Sequence, residues 1–172
     1  VAEFGEIDEA TADLIRLLAD RGETLSAAES LTAGLFCATV ASVPGASAVL
    51  RGGVVTYATD VKHLLADVDL DVLEEFGPVA EITARHMALG VSRRVRSDWA
   101  VSLTGVAGPS MQDGHPVGEV WCGIKRPGDD NAADVLVTRL PIGAGLSRNQ
   151  IRSVSVELAV EALVEQIRYF RH

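Results

Sequence analysis

Apolar residues change their spacing repeatedly along this chain, from the 3.6-residue period of a helix to the short runs of a strand and back, and no other feature limits its fold as much. Ile7, Ala10, Leu14, Leu17 and Leu18 share one side of a helix expected over residues 7–21, with Asp8, Glu9 and Asp13 opposite and Gly22 at its end. A short strand is expected over 24–28, then a helix through Thr39 with Ser30 or Thr32 as its cap. Ser42-Val43-Pro44-Gly45 breaks that helix; Gly52 to Tyr57 reads as a buried strand, and Thr59 and Asp60 open the next helix. Residues 81–96 form a third amphipathic helix, and 98–104 a third strand that runs into a Gly-Val-Ala-Gly-Pro loop. Two strand-like runs, 117–125 and 133–140, flank the turn-rich hexapeptide 126–131 as a hairpin would. A long helix over 146–170 closes the chain, with Ile151, Val154, Leu158, Val160, Leu163 and Ile167 on its buried side. Helices between consecutive strands require parallel pairing, and the hairpin adds antiparallel pairing. The expected fold class is therefore α/β, a three-layer α/β/α sandwich with a mixed, mostly parallel sheet, in one domain spanning 1–172.

Charge and cysteine content then exclude several functions. A net charge of -9 argues against a nucleic-acid partner, whose phosphates need a dense basic surface. An anionic small molecule is compatible with it, because one pocket can be positive on an acidic protein. Cys37 and Cys122 each sit in an apolar run, in no CxxC or Cys/His cluster, so neither a disulfide framework nor a metal site is expected. His63, His86, His115 and His172 show no ligand spacing, and Asp129-Asp130 reads as a turn. No run of 18 apolar residues offers a membrane span, and no basic leader precedes an apolar segment, so the cytoplasm is the expected compartment. The chain opens with Val1 rather than methionine, as a processed or trimmed start would.

In an open α/β sheet, ligands bind at the carboxyl ends of parallel strands. Those ends are Glu29-Ser30-Leu31-Thr32, Tyr57 to Lys62, and Thr104 to Gly108. Ser30, on a strand-to-helix turn, suits a nucleophile or a phosphate contact, and equally a plain helix cap. The chain has thirteen arginines but only two lysines, Lys62 and Lys125. Arginine cannot deprotonate in a protein whereas a desolvated lysine can, so Lys62 beside this edge is a candidate general base, against the alternative of a solvated helix residue. Tyr57 is a candidate to orient that amine or relay a proton, with core packing as its alternative. The glycines of 105–118 suit backbone contact with an anion, and turn composition explains them as well. Arg148 and Arg152, four apart, can pair with a phosphate together. Ser47 is a second candidate nucleophile; ten extended residues would hold it roughly 30 Å from Tyr57, so reaching the site needs a fold-back or a second subunit.

Several segments in order, among them Ala27-Ala28-Glu29-Ser30-Leu31-Thr32-Ala33-Gly34, Pro44-Gly45-Ala46-Ser47, Gly53-Val54-Val55-Thr56-Tyr57 with Lys62, Gly77-Pro78-Val79, Leu103 to Pro109 and Pro116-Val117-Gly118-Glu119-Val120, resemble a known family. It is the domain found at the C-terminus of competence-damage-inducible CinA proteins and, alone, in nicotinamide-nucleotide amidohydrolases. The resemblance implies a cytoplasmic single-domain hydrolase, usually a homodimer, that converts nicotinamide mononucleotide to nicotinate mononucleotide and ammonia with no metal or other cofactor. It implies Ser30 as nucleophile, Lys62 as base and Tyr57 as assistant, with Thr104 and the 105–108 loop, Gly105 and Gly108 included, as a substrate or oxyanion contact; Thr32, Ser47 and Arg148 are further expected substrate contacts. A non-catalytic nucleotide-binding module and a hydrolase of another phosphorylated amide are the alternatives. The chain departs from the family pattern at Leu31 and Ala33, where many members have cysteine and glycine, at Ser110-Met111, where they have a glycine pair, and at His115, where lysine is common.

Overall fold

The computed structural model describes residues 8–171. Helix α1 (Glu9–Arg21) starts at an Asp8 cap whose carboxylate accepts from the Thr11 N–H, and it stops at Gly22, whose left-handed backbone closes the last turn. Ile7, placed in this helix by its spacing, lies outside the described residues, as does His172. After α1 come β1 (Leu25–Glu29), α2 (Leu35–Ala41), β2 (Leu50–Val55), α3 (Thr59–Ala66), α4 (Leu70–Phe76), α5 (Glu81–Val95), β3 (Trp99–Gly105), β4 (Val120–Lys125), β5 (Leu136–Arg139) and α6 (Arg148–Tyr169). Helix α4 is unforeseen; it is short and buries no residue, so no periodic apolar stripe announces it.

The five strands lie in the order β2-β1-β3-β4-β5. β1 pairs parallel with β2 and with β3, while β4 runs antiparallel to both β3 and β5, which is the expected mixed sheet. Every residue of central β1 is buried, and alternate side chains serve opposite layers. Leu25 and Ala27, with Trp99, Val101 and Leu103 of β3, pack against α1, α2 and α6. Ala28 and Ala100 face α5, where Met87 and Val91 meet them beside Ala66 and Val68. Small side chains on this second face let α5 lie close, and Ser102 there donates to the Ala84 carbonyl at 2.6 Å. β2 is an edge strand, half exposed along alternate residues, and not the buried strand expected from its valines. A run such as Gly-Gly-Val-Val looks alike in either place, and only pairing with a single neighbour decides it.

Candidate active site at the carboxyl edge of the sheet

Parallel pairing of β1 with both neighbours brings their carboxyl ends together, and a cleft of about 140 Å³ opens there. Ser30 enters it from the end of β1, Tyr57 and Lys62 from the β2–α3 connection, and Thr104, Gly105 and Gly108 from the end of β3. Arg148, the first residue of α6, closes one side. Pro78 and Val79 form a wall that the sequence reading did not assign to the site, and Gln112 is a further polar side chain it missed.

Ser30 is not a helix cap. Helix α2 begins only at Leu35, behind a left-handed Gly34, and has no side-chain cap. Its first amides are taken by the buried carboxylate of Glu29, which accepts from the Phe36 N–H at 2.8 Å and the Cys37 N–H at 3.1 Å. The α2 terminus is therefore closed to a substrate anion, and the Ser30 hydroxyl is left for another partner. That partner is Lys62. Its side chain is 1% exposed, and its Nζ donates to Ser30 Oγ at 3.0 Å and to the Thr56 carbonyl at 2.7 Å. Burial pushes the Lys62 pKa down to about 8, and among the described residues no carboxylate pairs with the amine to oppose this. At pH 7 roughly a tenth of the amine is then neutral, hundreds of times more than for an ordinary lysine. A neutral Nζ can accept the Ser30 proton across the contact already made, while the Thr56 carbonyl holds the amine in place. Lys125, the other lysine, bonds to the Asp98 carbonyl and lies outside the cleft.

Several expected contacts differ from the sequence reading. Tyr57 is 54% exposed, and its hydroxyl accepts from Arg148 instead of meeting Lys62. Arg148 also donates to the Gly108 carbonyl, so it ties three connections together across the cleft mouth. Arg152 does not join it as a phosphate clamp. Its guanidinium donates to the carbonyls of Leu31 and Thr32, both at 3.0 Å, and fastens the turn behind Ser30. Thr104 lines the cleft but gives its hydroxyl proton to the Pro78 carbonyl at 2.6 Å, which holds the wall against β3. Gly105 and Gly108 are needed by the fold itself: a Cβ at Gly105 would fall 2.4 Å from the Glu119 carbonyl, and one at Gly108 would fall 2.8 Å from Val117 at a positive φ. Thr32 is fully buried, lies outside the cleft, and its hydroxyl finds no partner among the described residues. Ser47 is exposed on a single helical turn, Ala46–Ala48, before β2 begins. Leu50 pairs beside Leu25 at the start of β1, so Ser47 sits at the opposite edge of the sheet from Ser30. His115 contacts Glu119 at 3.0 Å, away from any metal-like grouping, and among the described residues no three His, Cys, Asp or Glu side chains converge as metal ligands would. Among the same residues no helix is long and apolar enough to cross a membrane.

The sequence pattern of the CinA C-terminal domain matches residues 7–167. This chain belongs to that family. A protein of Streptococcus pneumoniae strain TIGR4, named as competence-damage inducible, is 42% identical over 153 residues, 89% of this chain. The chain spans about a third of that relative's length, 35%. Solved structures agree over nearly their full lengths. The competence damage-inducible protein A of Klebsiella pneumoniae has a TM-score of 0.87 at 29% identity, covering 95% of this chain and 98% of its own. The competence/damage inducible protein CihA of Agrobacterium tumefaciens has 0.81 at 33%, covering 94% and 98%. For a CinA C-terminal domain, the backbone at Ala33 is a local weakness. This exposed alanine holds a left-handed φ of 48°. Ala33→Gly is expected to stabilise the protein by about 0.5–1 kcal/mol, because the strain removed exceeds the unfolded-chain entropy gained. A rise in the urea midpoint at unchanged slope checks it; a fall overturns it.

Proposed function

We propose that this CinA C-terminal domain is an amidohydrolase that converts nicotinamide mononucleotide to nicotinate mononucleotide and ammonia by a Ser30–Lys62 dyad. The observation that carries the reading is the contact between a serine hydroxyl and a buried lysine whose pKa lies near 8, at the floor of the cleft. Neutral Lys62 takes the Ser30 proton, Oγ attacks the carboxamide carbon, and the same proton passes to the departing nitrogen, which leaves as ammonia. Water then attacks the acyl-enzyme and gives a proton to Nζ, which passes it to Ser30 Oγ as the Oγ–acyl bond breaks and the acid leaves. Negative charge develops on the carboxamide oxygen, and the backbone N–H groups of Leu31, Ala107 and Gly108 line the cleft with no acceptor among the described residues. Thr104, Gly105, Gly108 and Arg148 complete the substrate contacts, and Tyr57 steadies Arg148. The reading includes a homodimer in the cytoplasm, which sedimentation of the purified protein tests.

Purified protein is expected to release ammonia from nicotinamide mononucleotide, in the presence of a chelator as in its absence. Ser30→Ala is expected to lower kcat by about 10³-fold or more, and Lys62→Met by about 10²–10⁴-fold. For the wild type, kcat rises about tenfold per pH unit below the Lys62 pKa and levels off above it, because the neutral amine is the working form. Full activity in both variants overturns the dyad. Binding without turnover assigns a nucleotide-binding module instead, and ammonia from a different phosphorylated amide alone changes the substrate.

A further inference from the structure

Residues 109–118 lie in the connection from β3 to β4 and put Ser110 and Gln112 on the cleft wall. At the tip, Gln112 and His115 exchange two backbone hydrogen bonds, of 3.1 and 2.8 Å, around Asp113 and Gly114, both at positive φ. Asp-Gly suits such a two-residue hairpin, so the tip is a small closed unit that moves as one piece. Its ties to the rest of the molecule are few. Among the described residues, a single polar contact leaves the 109–115 stretch, from His115 Nδ1 to Glu119 Oε1 at 3.0 Å.

The two ends of that contact are unequal. Glu119 is buried and secured without His115: its Oε1 also accepts from Trp121 Nε1 of β4 at 3.0 Å, and its Oε2 faces Arg139 of β5 at 3.8 Å. The His115 ring, half-buried, has no other hydrogen-bond or ionic partner among the described residues. No second charge competes for it. Asp113 in the turn makes no ion pair among those residues, and Arg148 is taken by the Tyr57 hydroxyl and the Gly108 carbonyl. Residues 141–145, whose Ile142 lies against Gly118, carry no charge. A neutral imidazole holds Glu119 by an ordinary hydrogen bond, whereas an imidazolium makes a charge-assisted one of roughly twice the strength. Protonation therefore fastens the tip. Loss of the proton loosens it, while Glu119 keeps Trp121 and Arg139.

We propose that residues 109–118 form a strap over the cleft, fastened by His115 and Glu119 at acid pH and released as the imidazole loses its proton. Rising pH thus opens the cleft while it also enlarges the neutral fraction of Lys62. The strap acts on whatever molecule the cleft takes, so it stands even if the pyridine-nucleotide reading fails. Thermolysin, which cuts beside apolar residues, has Met111 and Val117 as exposed targets in the strap. Cleavage there is followed by mass spectrometry on the full chain at pH 5.5 and pH 8, each rate divided by that for a free peptide of the same ten residues. The corrected wild-type rate is expected to be about threefold to fivefold higher at pH 8. His115→Lys carries a cation at both pH values and His115→Gln at neither, so both are expected to lose the difference. The other histidines are unchanged in the two variants, and a pH effect of theirs survives both substitutions. Thermal melting confirms that each variant is folded, as expected for a change at the tip of a loop. A corrected ratio near one in the wild type, or one that persists in either variant, overturns the strap.

Discussion

Lys62→Met is expected to stabilise the protein by about 1–2 kcal/mol at pH 7 while removing the ammonia release proposed for it. The pKa of Lys62 falls from 10.5 to about 8 on folding, because burial disfavours the ammonium. Below pH 8 both folded and unfolded chains carry the charge, and the folded one bears a desolvation cost of roughly 3 kcal/mol. Between pH 8 and 10.5 the unfolded chain binds the extra proton, so wild-type stability rises with pH across that window. Methionine fills nearly the same volume without charge; it forfeits the bonds to Ser30 Oγ and the Thr56 carbonyl, which returns about 1–2 kcal/mol of the gain. The advantage of the variant therefore shrinks by about 2 kcal/mol between pH 7 and 9.5. Cys37 and Cys122, whose thiols burial pushes up to about 12, lower stability above pH 9, but they do so in both proteins and cancel in the difference. Denaturant melts of both proteins at the two pH values measure it. A difference that does not change with pH, or a variant less stable at pH 7, sinks the claim that a buried, reluctant ammonium sits beside Ser30.

The same desolvation that weakens the fold at neutral pH would supply the base of the proposed dyad, so stability and the proposed function oppose each other at one side chain. This explains what in the site was legible beforehand. Strand–helix alternation predicts parallel strands, parallel strands predict a shared carboxyl edge, and the only lysine near that edge is Lys62. Each step is local and needs residue types alone. Where the reading failed, the missing information was non-local or had no residue signature. The carbonyl that steadies Lys62 belongs to the backbone of Thr56, and any residue there would offer the same atom. The burial expected for β2 does not hold because its edge position depends on strand order, which no local window contains. Ser30 and Thr32 looked like caps because both types cap helices; the acceptor in use is Glu29, one residue before the turn, reaching forward to Phe36 and Cys37. Arg152 looked like half of a phosphate clamp because spacing alone cannot say which guanidinium is already spent on carbonyls.

Glu29 itself carries the second large effect. Its carboxylate is 1% exposed and holds two amides at the start of α2, a helix of seven residues that is too short to persist on its own. Glu29→Ala strands both N–H groups without an acceptor and is expected to cost about 4 kcal/mol. Glu29→Gln keeps one acceptor but turns an NH₂ group toward the other amide, for about half that loss. Urea melts give both figures, and a cost under about 1 kcal/mol for the alanine variant contradicts the assignment. A chemical readout separates electrostatics from simple loosening. The Cys37 thiol is pushed up to about 12 by burial first and by the neighbouring Glu29 carboxylate second. In Glu29→Gln, which removes the charge and keeps the shape, Cys37 is expected to alkylate faster at a fixed alkaline pH under conditions where the protein stays folded. Because Ser30 follows Glu29 directly and its own N–H is fixed to the Leu103 carbonyl at 2.9 Å, loosening α2 frees the turn after Ser30 more than the serine itself. If the proposed hydrolysis holds, the Gln variant is expected to lose kcat by about tenfold, far less than Ser30→Ala, and an undiminished kcat would show that the turn does not need α2 to hold the proposed nucleophile.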